Sequence, residues 1–411
     1  MGKKDVIIIG GGPAGLFSAI ECARSGLRVL LLEKNADCGK KLLITGAGQC
    51  NLTQAGRVED FLVRFGQKGK FVKHGLLTFS NQQFIDFLNR EGLSTVIVEN
   101  GKVFPRSMNA QDVLNLLKRL CRDFGVETYN KVGVEGIKKV ADGFEVMADG
   151  VCYSSKYVII ATGGASYPQT GSTGDGYVFA KDLGHKIVPI KPALAPVKVK
   201  EYQLAELSGQ SFPDLSYTLW REGKKMGDYR GPVLLTHHGV SGPGIINPSR
   251  DMQKGDVLKL NFIGESVDGA RSHLMEILST FPKKLVLTVV AYEGLPKRLV
   301  EKLMEQAGCA LNVTCGQLPK EGRKALLRLL TEYEMGIKEV GGYALAMATA
   351  GGVSLKEVNR ATMESRVCPG LYFAGEVLDV DGDTGGYNIQ WAVSSGYVAA
   401  KAIADRVNGQ K

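Results

Sequence analysis

The feature that most constrains this chain lies in its first 33 residues. A short run, Asp5-Val6-Ile7-Ile8-Ile9, passes straight into Gly10-Gly11-Gly12-Pro13-Ala14-Gly15. Leu16, Ala19, Ile20 and Ala23 then recur at near-helical spacing until Gly26,. A second buried-strand pattern, Arg28 to Glu33, follows. Strand, tight turn, helix and strand in this order open a dinucleotide fold, with Gly-x-Gly-x-x-Gly at Gly10, Gly12 and Gly15,. Gly10 makes the turn, Gly12 lets the backbone approach a pyrophosphate, and Gly15 lets helix pack on strand. The helix beginning at Pro13 and Ala14 offers free N–H groups to a diphosphate. Glu33 ends the second strand where a carboxylate accepts both ribose hydroxyls and disfavours a 2′-phosphate.

Composition narrows the class further. The chain has 411 residues, 44% hydrophobic and 23% charged, enough for two or three domains without disulfides or metals,. None of its eight Cys forms a CxxC, so reduced, cytoplasmic thiols are expected,. The N-terminus lacks the pattern of a signal peptide, and no apolar run reaches the roughly 18 residues of a membrane span. Net charge is +9. It could steer anionic substrates or nucleic acid, but no zinc finger, RNP-like strand or long basic helix accompanies it. Lys68, Lys70 and Lys73, and Arg221, Lys224 and Lys225, read as solvated loops. No nucleic-acid partner is expected.

Two remote glycine-rich strand ends repeat the theme of the N-terminus. Tyr157-Val-Ile-Ile-Ala161 runs into Thr162-Gly163-Gly164 and a permissive polar stretch to Tyr177, after which Asp175 could cap a helix,. Gly370-Leu-Tyr-Phe-Ala-Gly375-Glu376 ends likewise, and the stretch to Gln390 precedes a helix read as Trp391 to Ile403. Between residues 38 and 51 three glycines accompany Lys41, Thr45 and Asn51, the pattern of a loop folded around a ligand. Cys50 within it has no CxxC partner and is not read as a redox thiol. Residues 111–124 form an amphipathic helix, 126–134 and 144–147 strands, 193–265 a mainly β segment and 271–334 helices; 346–353 reads as a turn. Residues 193–345 thus interrupt the nucleotide domain. His237 and His238 lack carboxylate or Cys partners at ligand spacing, so no metal is expected. One fingerprint suits an NAD dehydrogenase; an extended FAD accounts for all three glycine-rich ends.

These motifs resemble the bacterial two-dinucleotide-binding-type flavoproteins that include aminoacetone oxidase and the bile-acid-pathway flavoprotein reductases, the HI0933-like flavoproteins. The resemblance spans the chain: GGGPAG at 10–15, Glu33-Lys34, TGxGxCN at 45–51, ATGGxSYPxTGSTGDGY at 161–177, THHGVSGP at 236–243, TAGGV at 349–353 and GEVLDVDGxxGGYNIQWA at 375–392. It implies an α/β, Rossmann-like FAD-binding domain, residues 1–192 and 346–411, interrupted by a β-barrel (193–265 and 335–345) and a helical cap (266–334). It places Val134 at the adenine, and Lys34, Lys41, Thr45, Gly46, Gly48, Cys50 and Asn51 around the cofactor. Thr162 and Gly163 join them, as do Gly375, Glu376, Asp379, Gly386, Tyr387, Asn388, Ile389 and Gln390 at phosphate, ribitol and ring edge. Substrate would enter between cap and flavin.

The functional expectation is an FAD-dependent oxidoreductase in a monomer or weak dimer. In the leading reading NAD(P)H, a transient reductant, drives reduction of an activated double bond in a small organic substrate. Alternatives are an oxygen-using amine oxidase and an FAD-stabilised RNA-associated protein. Tyr167, His237 and His238 are the candidate catalytic groups, because a hydroxyl or imidazole near the flavin could move a proton.

Overall fold

The computed structural model describes residues 3–291 and 294–409. The chain forms two compact units. One comprises the residues up to Ala193 and from Tyr343 onward, the other Leu194–Gly342.

The first unit is built on a seven-stranded sheet. Strand β1 (Lys4–Ile9) lies between β2 (Val29–Glu33) and the strand Val151–Ile160, parallel to both. Strand Glu127–Asn130 pairs with β2, and Leu371–Phe373 with Val151–Ile160, again in parallel. The N-terminal half of Val151–Ile160 instead forms an antiparallel meander with Gly143–Ala148 and Val134–Val140. β2 is buried throughout, as are Val6 to Ile9 of β1, which explains their continuous apolar sequence,. Helix α1 (Pro13–Arg24) packs on the long C-terminal helix Tyr387–Asn408, where small residues permit close approach: a Cβ on Gly396 would lie 2.7 Å from the Ala14 carbonyl oxygen.

The second unit contains a closed antiparallel barrel running through 197–199, 239–241, 224–235, 211–221, 257–261 and 333–340. Helices Val267–Thr280, Val286–Ala291, Lys297–Gln306 and Lys320–Thr331 are inserted before its last strand. Barrel residues such as Leu258 and Ile337 and helical residues such as Leu299 and Leu326 share one buried core. Among the described residues no helix is long and apolar enough to cross a membrane.

Several local readings change. Residues 348–353 are a buried strand paired antiparallel with Ile187–Ala193; the glycines that suggested a turn lie within it. The C-terminal helix starts at Tyr387 rather than Trp391 and ends at Asn408 rather than Ile403, because Gly386 in a left-handed conformation opens it. Asp175 is the first residue of helix Asp175–Asp182, not its cap; the N-cap is Gly174, and the Asp175 carboxylate pairs with Lys34. Lys68 is no solvated loop residue but part of the 3₁₀ turn Val63–Lys68, bonded to two carboxylates. Lys73 lies in helix Gly69–Thr78. Arg221 ends a barrel strand with its guanidinium on buried Asp256, at 2.8 and 2.9 Å.

In the first unit, buried His185 contacts Ser365 Oγ through Nε2 at 2.7 Å and lies 3.3 Å from Glu357 through Nδ1. Burial holds its pKa below the ordinary histidine value, with Glu357 the smaller, opposing influence. A depressed pKa means stability that is present above the ordinary value and lost as pH falls through the folded one. The thermal midpoint of the wild type should therefore exceed that of His185→Gln by less at pH about 5 than at pH about 7.5. A gap that stays constant across this range would refute the assignment.

Candidate functional site

Register explains why three distant glycine-rich segments meet. Ile9 pairs with Leu32 on one side and Ile160 on the other, and Ile160 pairs with Phe373. The residues that follow, Gly10, Glu33, Ala161 and Ala374, therefore lie at one level, where Gly10, Ala161 and Ala374 leave the sheet and Glu33 is the last residue of β2. A cavity of about 190 Å³ opens there, lined entirely by the first unit.

Its walls contain Gly10, Gly12, Pro13, Ala14, Glu33, Lys34, Lys41, Thr45, Val134, Thr162, Gly163, Gly375, Glu376, Asn388 and Ile389. Other expected cofactor residues stand behind this wall. Gly15 packs α1 on β1: a Cβ there would lie 1.9 Å from the Gly10 carbonyl oxygen. Gly46 and Gly48 belong to the left-handed turn Thr45–Gly48. Cys50 is fully buried, and burial pushes its thiol up to about 12, which removes it as a nucleophile,. The Asn51 amide bonds the Thr53 carbonyl at 3.0 Å and accepts from Gly386 N at 3.3 Å, tying the early loop to the start of the C-terminal helix. Tyr387 packs edge-on against Phe61, with ring centroids 5.1 Å apart. Gln390 is buried and donates to the Phe79 carbonyl at 3.2 Å and Ser394 Oγ at 2.9 Å. Asp379 accepts from Lys68 at 2.6 Å.

Glu33, Lys34, Lys41 and Glu376 on the wall are already engaged. Glu33 accepts from Gly11 N at 2.7 Å, from Asn35 N at 2.8 Å and from the Asn35 amide at 2.7 Å. Three of its roughly four acceptor positions are thus filled, which leaves room for one ribose hydroxyl rather than two. Lys34 is held by Thr173 and Asp175. Lys41 donates to Glu376 at 2.8 Å and Ser166 at 2.6 Å; Glu376 also accepts from Thr349 N at 2.7 Å. Ser166 and Thr349 were not singled out as site residues, although both fall in the segments that carry the resemblance.

Three observations test whether the cavity suits FAD. Neither α1 nor the C-terminal helix has a side-chain cap, and both N-termini border the cavity, leaving N–H groups for an anion,. A Cβ built on Gly12 meets nothing within 4 Å, so the backbone faces open space. Thr162, a wall residue, has a buried hydroxyl against Gly176 with no partner among the described residues. The residues present fit the cofactor.

Among the candidate catalytic groups, only Tyr167 belongs to this unit. It is half-buried and left-handed at φ 51, its N–H donating to the Tyr343 carbonyl at 2.8 Å. His237 and His238 are exposed on the turn between barrel strands in the second unit.

The HI0933-like protein Rossmann domain matches residues 4–402. The chain belongs to the HI0933-like family. It is 34% identical to the 3-dehydro-bile acid delta(4,6)-reductase of Clostridium scindens, over 97% of this chain and 98% of that protein. It is 33% identical to the ribosomal RNA dihydrouridine synthase of Escherichia coli, over 98% of each. A solved 3-ketosteroid-delta4-(5alpha)-dehydrogenase from Rhodococcus jostii shares the fold, with TM-score 0.52, 15% identity and coverage of 98% of this chain and 97% of that one. This HI0933-like protein is an FAD-dependent oxidoreductase.

Two glycines should separate fold from binding. Gly15→Ala, which collides with backbone, should lower stability by about 1–3 kcal/mol. Gly12→Ala should change it by less than about 1 kcal/mol yet reduce the FAD retained on purification. Chemical denaturation and flavin content of the two variants check both expectations, and equal flavin retention in Gly12→Ala and wild type would contradict the second.

Proposed function

We propose that this protein is an NAD(P)H-driven reductase of a carbon–carbon double bond conjugated to a carbonyl. The observation that carries the reading is its near-equal, full-length likeness to two differently named enzymes. A delta(4,6)-reductase of a 3-dehydro bile acid and a dihydrouridine synthase act on different molecules, yet both names describe hydrogenation of an electron-poor alkene. What the site gains from FAD is two-electron transfer between a nicotinamide and such an alkene.

The chain's own residues then have separable tasks. The N-termini of α1 and the C-terminal helix hold the diphosphate and offset negative charge on the cofactor. Glu33 receives one ribose hydroxyl. Lys41, fixed by Glu376 and Ser166, orients the wall formed by the 40–45 segment. Tyr167, half-buried in the same unit though not itself on the cavity wall, is the candidate proton donor, through its hydroxyl,.

Charge favours uridine within RNA as the acceptor, a reading that departs from the expectation of no nucleic-acid partner. Basic residues exceed acidic ones in both units, 20 against 17 in Leu194–Gly342 and 31 against 25 in the remainder. Such a balance suits a polyanion. The ribosomal RNA dihydrouridine synthase of Haemophilus influenzae, 31% identical over 97% of this chain and 98% of that protein, supports the same acceptor.

Anaerobic stopped-flow mixing of the FAD-loaded protein with NADH or NADPH should bleach the oxidised flavin absorption. Absence of bleaching with both nucleotides would sink the nicotinamide-driven reading and bring the amine oxidase forward. The reduced protein should then be offered ribosomal RNA lacking dihydrouridine and, separately, a 3-oxo-4,6-diene bile acid. Gain of two hydrogens in a uridine, read by mass spectrometry, supports RNA; gain only in the steroid overturns that choice of acceptor.

A further inference from the structure

The 3₁₀ turn Val63–Lys68 grips a loop that no local sequence pattern connects to it. Lys68 Nζ donates to Asp379 Oδ1 at 2.6 Å and to Asp381 Oδ1 at 2.7 Å, and Asp381 is fully buried. Val380, between those two aspartates, lines the cavity. One residue further on, a Cβ on Gly382 would lie 2.8 Å from the Phe65 ring, so the loop touches the turn directly. Asp383 N donates to the Arg64 carbonyl at 3.0 Å. From the opposite side Asn388, another cavity residue, accepts from Gly382 N at 2.7 Å and donates to its carbonyl at 2.9 Å. Phe61 and Phe65 also pack on Tyr387, the first residue of the C-terminal helix.

All these contacts converge on one short piece of chain, the wall from Val380 to the uncapped N-terminus of the C-terminal helix. Hydrophobic contact alone permits sliding; two short, charge-assisted bonds from one ammonium to alternate residues fix both the position and the direction of the loop. The same ammonium offsets the charge of two carboxylates that flank a wall residue. Asp379 Oδ1 takes both this bond and one from Gly351 N at 3.2 Å, so it ties the loop to two other segments.

We infer that Lys68 is a positioning residue: by clamping Asp379 and Asp381 it holds Val380 and the start of the C-terminal helix in place for the cofactor, and it sets the electrostatic field there. The inference rests on the FAD reading of the cavity. Its two components separate experimentally, since the clamp can be measured without flavin and the field only with it.

The test uses the full-length protein as Lys68→Met, Lys68→Arg and the triple variant Lys68→Met with Asp379→Asn and Asp381→Asn. Hydrogen exchange of the flavin-free proteins should be faster over residues 379–388 in Lys68→Met than in wild type, with the barrel residues 197–340 unchanged. FAD should bind about tenfold or more weakly to Lys68→Met, because one partner of a desolvated charge cluster is gone. The flavin midpoint potential should move to more negative values, since uncompensated carboxylates oppose electron uptake. The triple variant should recover the potential but not the affinity, and Lys68→Arg should retain most of both. Wild-type exchange, affinity and potential in Lys68→Met would overturn the inference. If Lys68→Met does not fold, Asp379→Asn must still speed exchange over 379–388 and weaken FAD binding; unchanged values in that variant overturn the inference too. A wild type that takes up no FAD would refute the cofactor reading, while the exchange data would still decide whether Lys68 is a clamp.

Discussion

The alignment of four parallel strands underlies every other feature of the first unit. Ile9, Leu32, Ile160 and Phe373 form one register row, and all four are buried. A slip of one residue would exchange the two faces of a strand covered on both sides, so apolar packing fixes the row. Once it is fixed, Gly10, Ala161 and Ala374 leave the sheet level with Glu33, the last residue of β2. The glycines then keep this common exit open. They do not create it, and a Gly-x-Gly-x-x-Gly without the matching strand ends at 161 and 374 would face no second or third wall.

Three cations at or near the wall are each matched by a carboxylate of the protein. Lys34 is held by Asp175, Lys41 by Glu376, and Lys68 by Asp379 and Asp381. Cations so paired offer little to a diphosphate; the two uncapped helix ends are where backbone N–H groups would meet its charge,. The pairs do a different job. Each links segments far apart in the chain, so the side chains fix the shape of the wall and the backbone supplies its field. Glu33 fits the same pattern, with most of its carboxylate used to tie the first turn to β2 and to Asn35.

What could be read from the sequence is what is local in it. The fingerprint at 10–15, the apolar strands and the helix at 110–123 each carry their signal within a dozen or so residues,. The glycine-rich ends at 162–163 and 375 were legible as separate strand exits, though the register row that joins them was not. The sequence around Lys68 has the pattern of a solvated loop because its partners lie 311 and 313 residues away, and nothing near position 68 announces them. Lys41 and Glu376, 335 residues apart, were both named as cofactor residues, but their bond to each other was invisible. The strand at 348–353 was mistaken for a turn because its paired glycines imitate one; Gly351 and Gly352 take positive φ inside a buried pairing with 187–193. His237 and His238, candidates for their imidazole chemistry, occupy an exposed hairpin turn of the second unit.

The same division explains why cofactor class and acceptor are known to different depths. An FAD seat depends on the strand register, close backbone approach and two open helix ends. These say nothing about what receives the electrons. An acceptor is chosen by side chains and surface charge, which can differ between proteins that share a third of their residues. Here the cleft belongs wholly to the first unit, while the basic excess extends over both. A small steroid acid would need positive charge only near its carboxylate. A folded RNA presents phosphates over a wide area, so a modest excess spread over both units is useful to it even without a concentrated patch. That asymmetry, rather than any single residue, is what tips the proposed acceptor towards RNA.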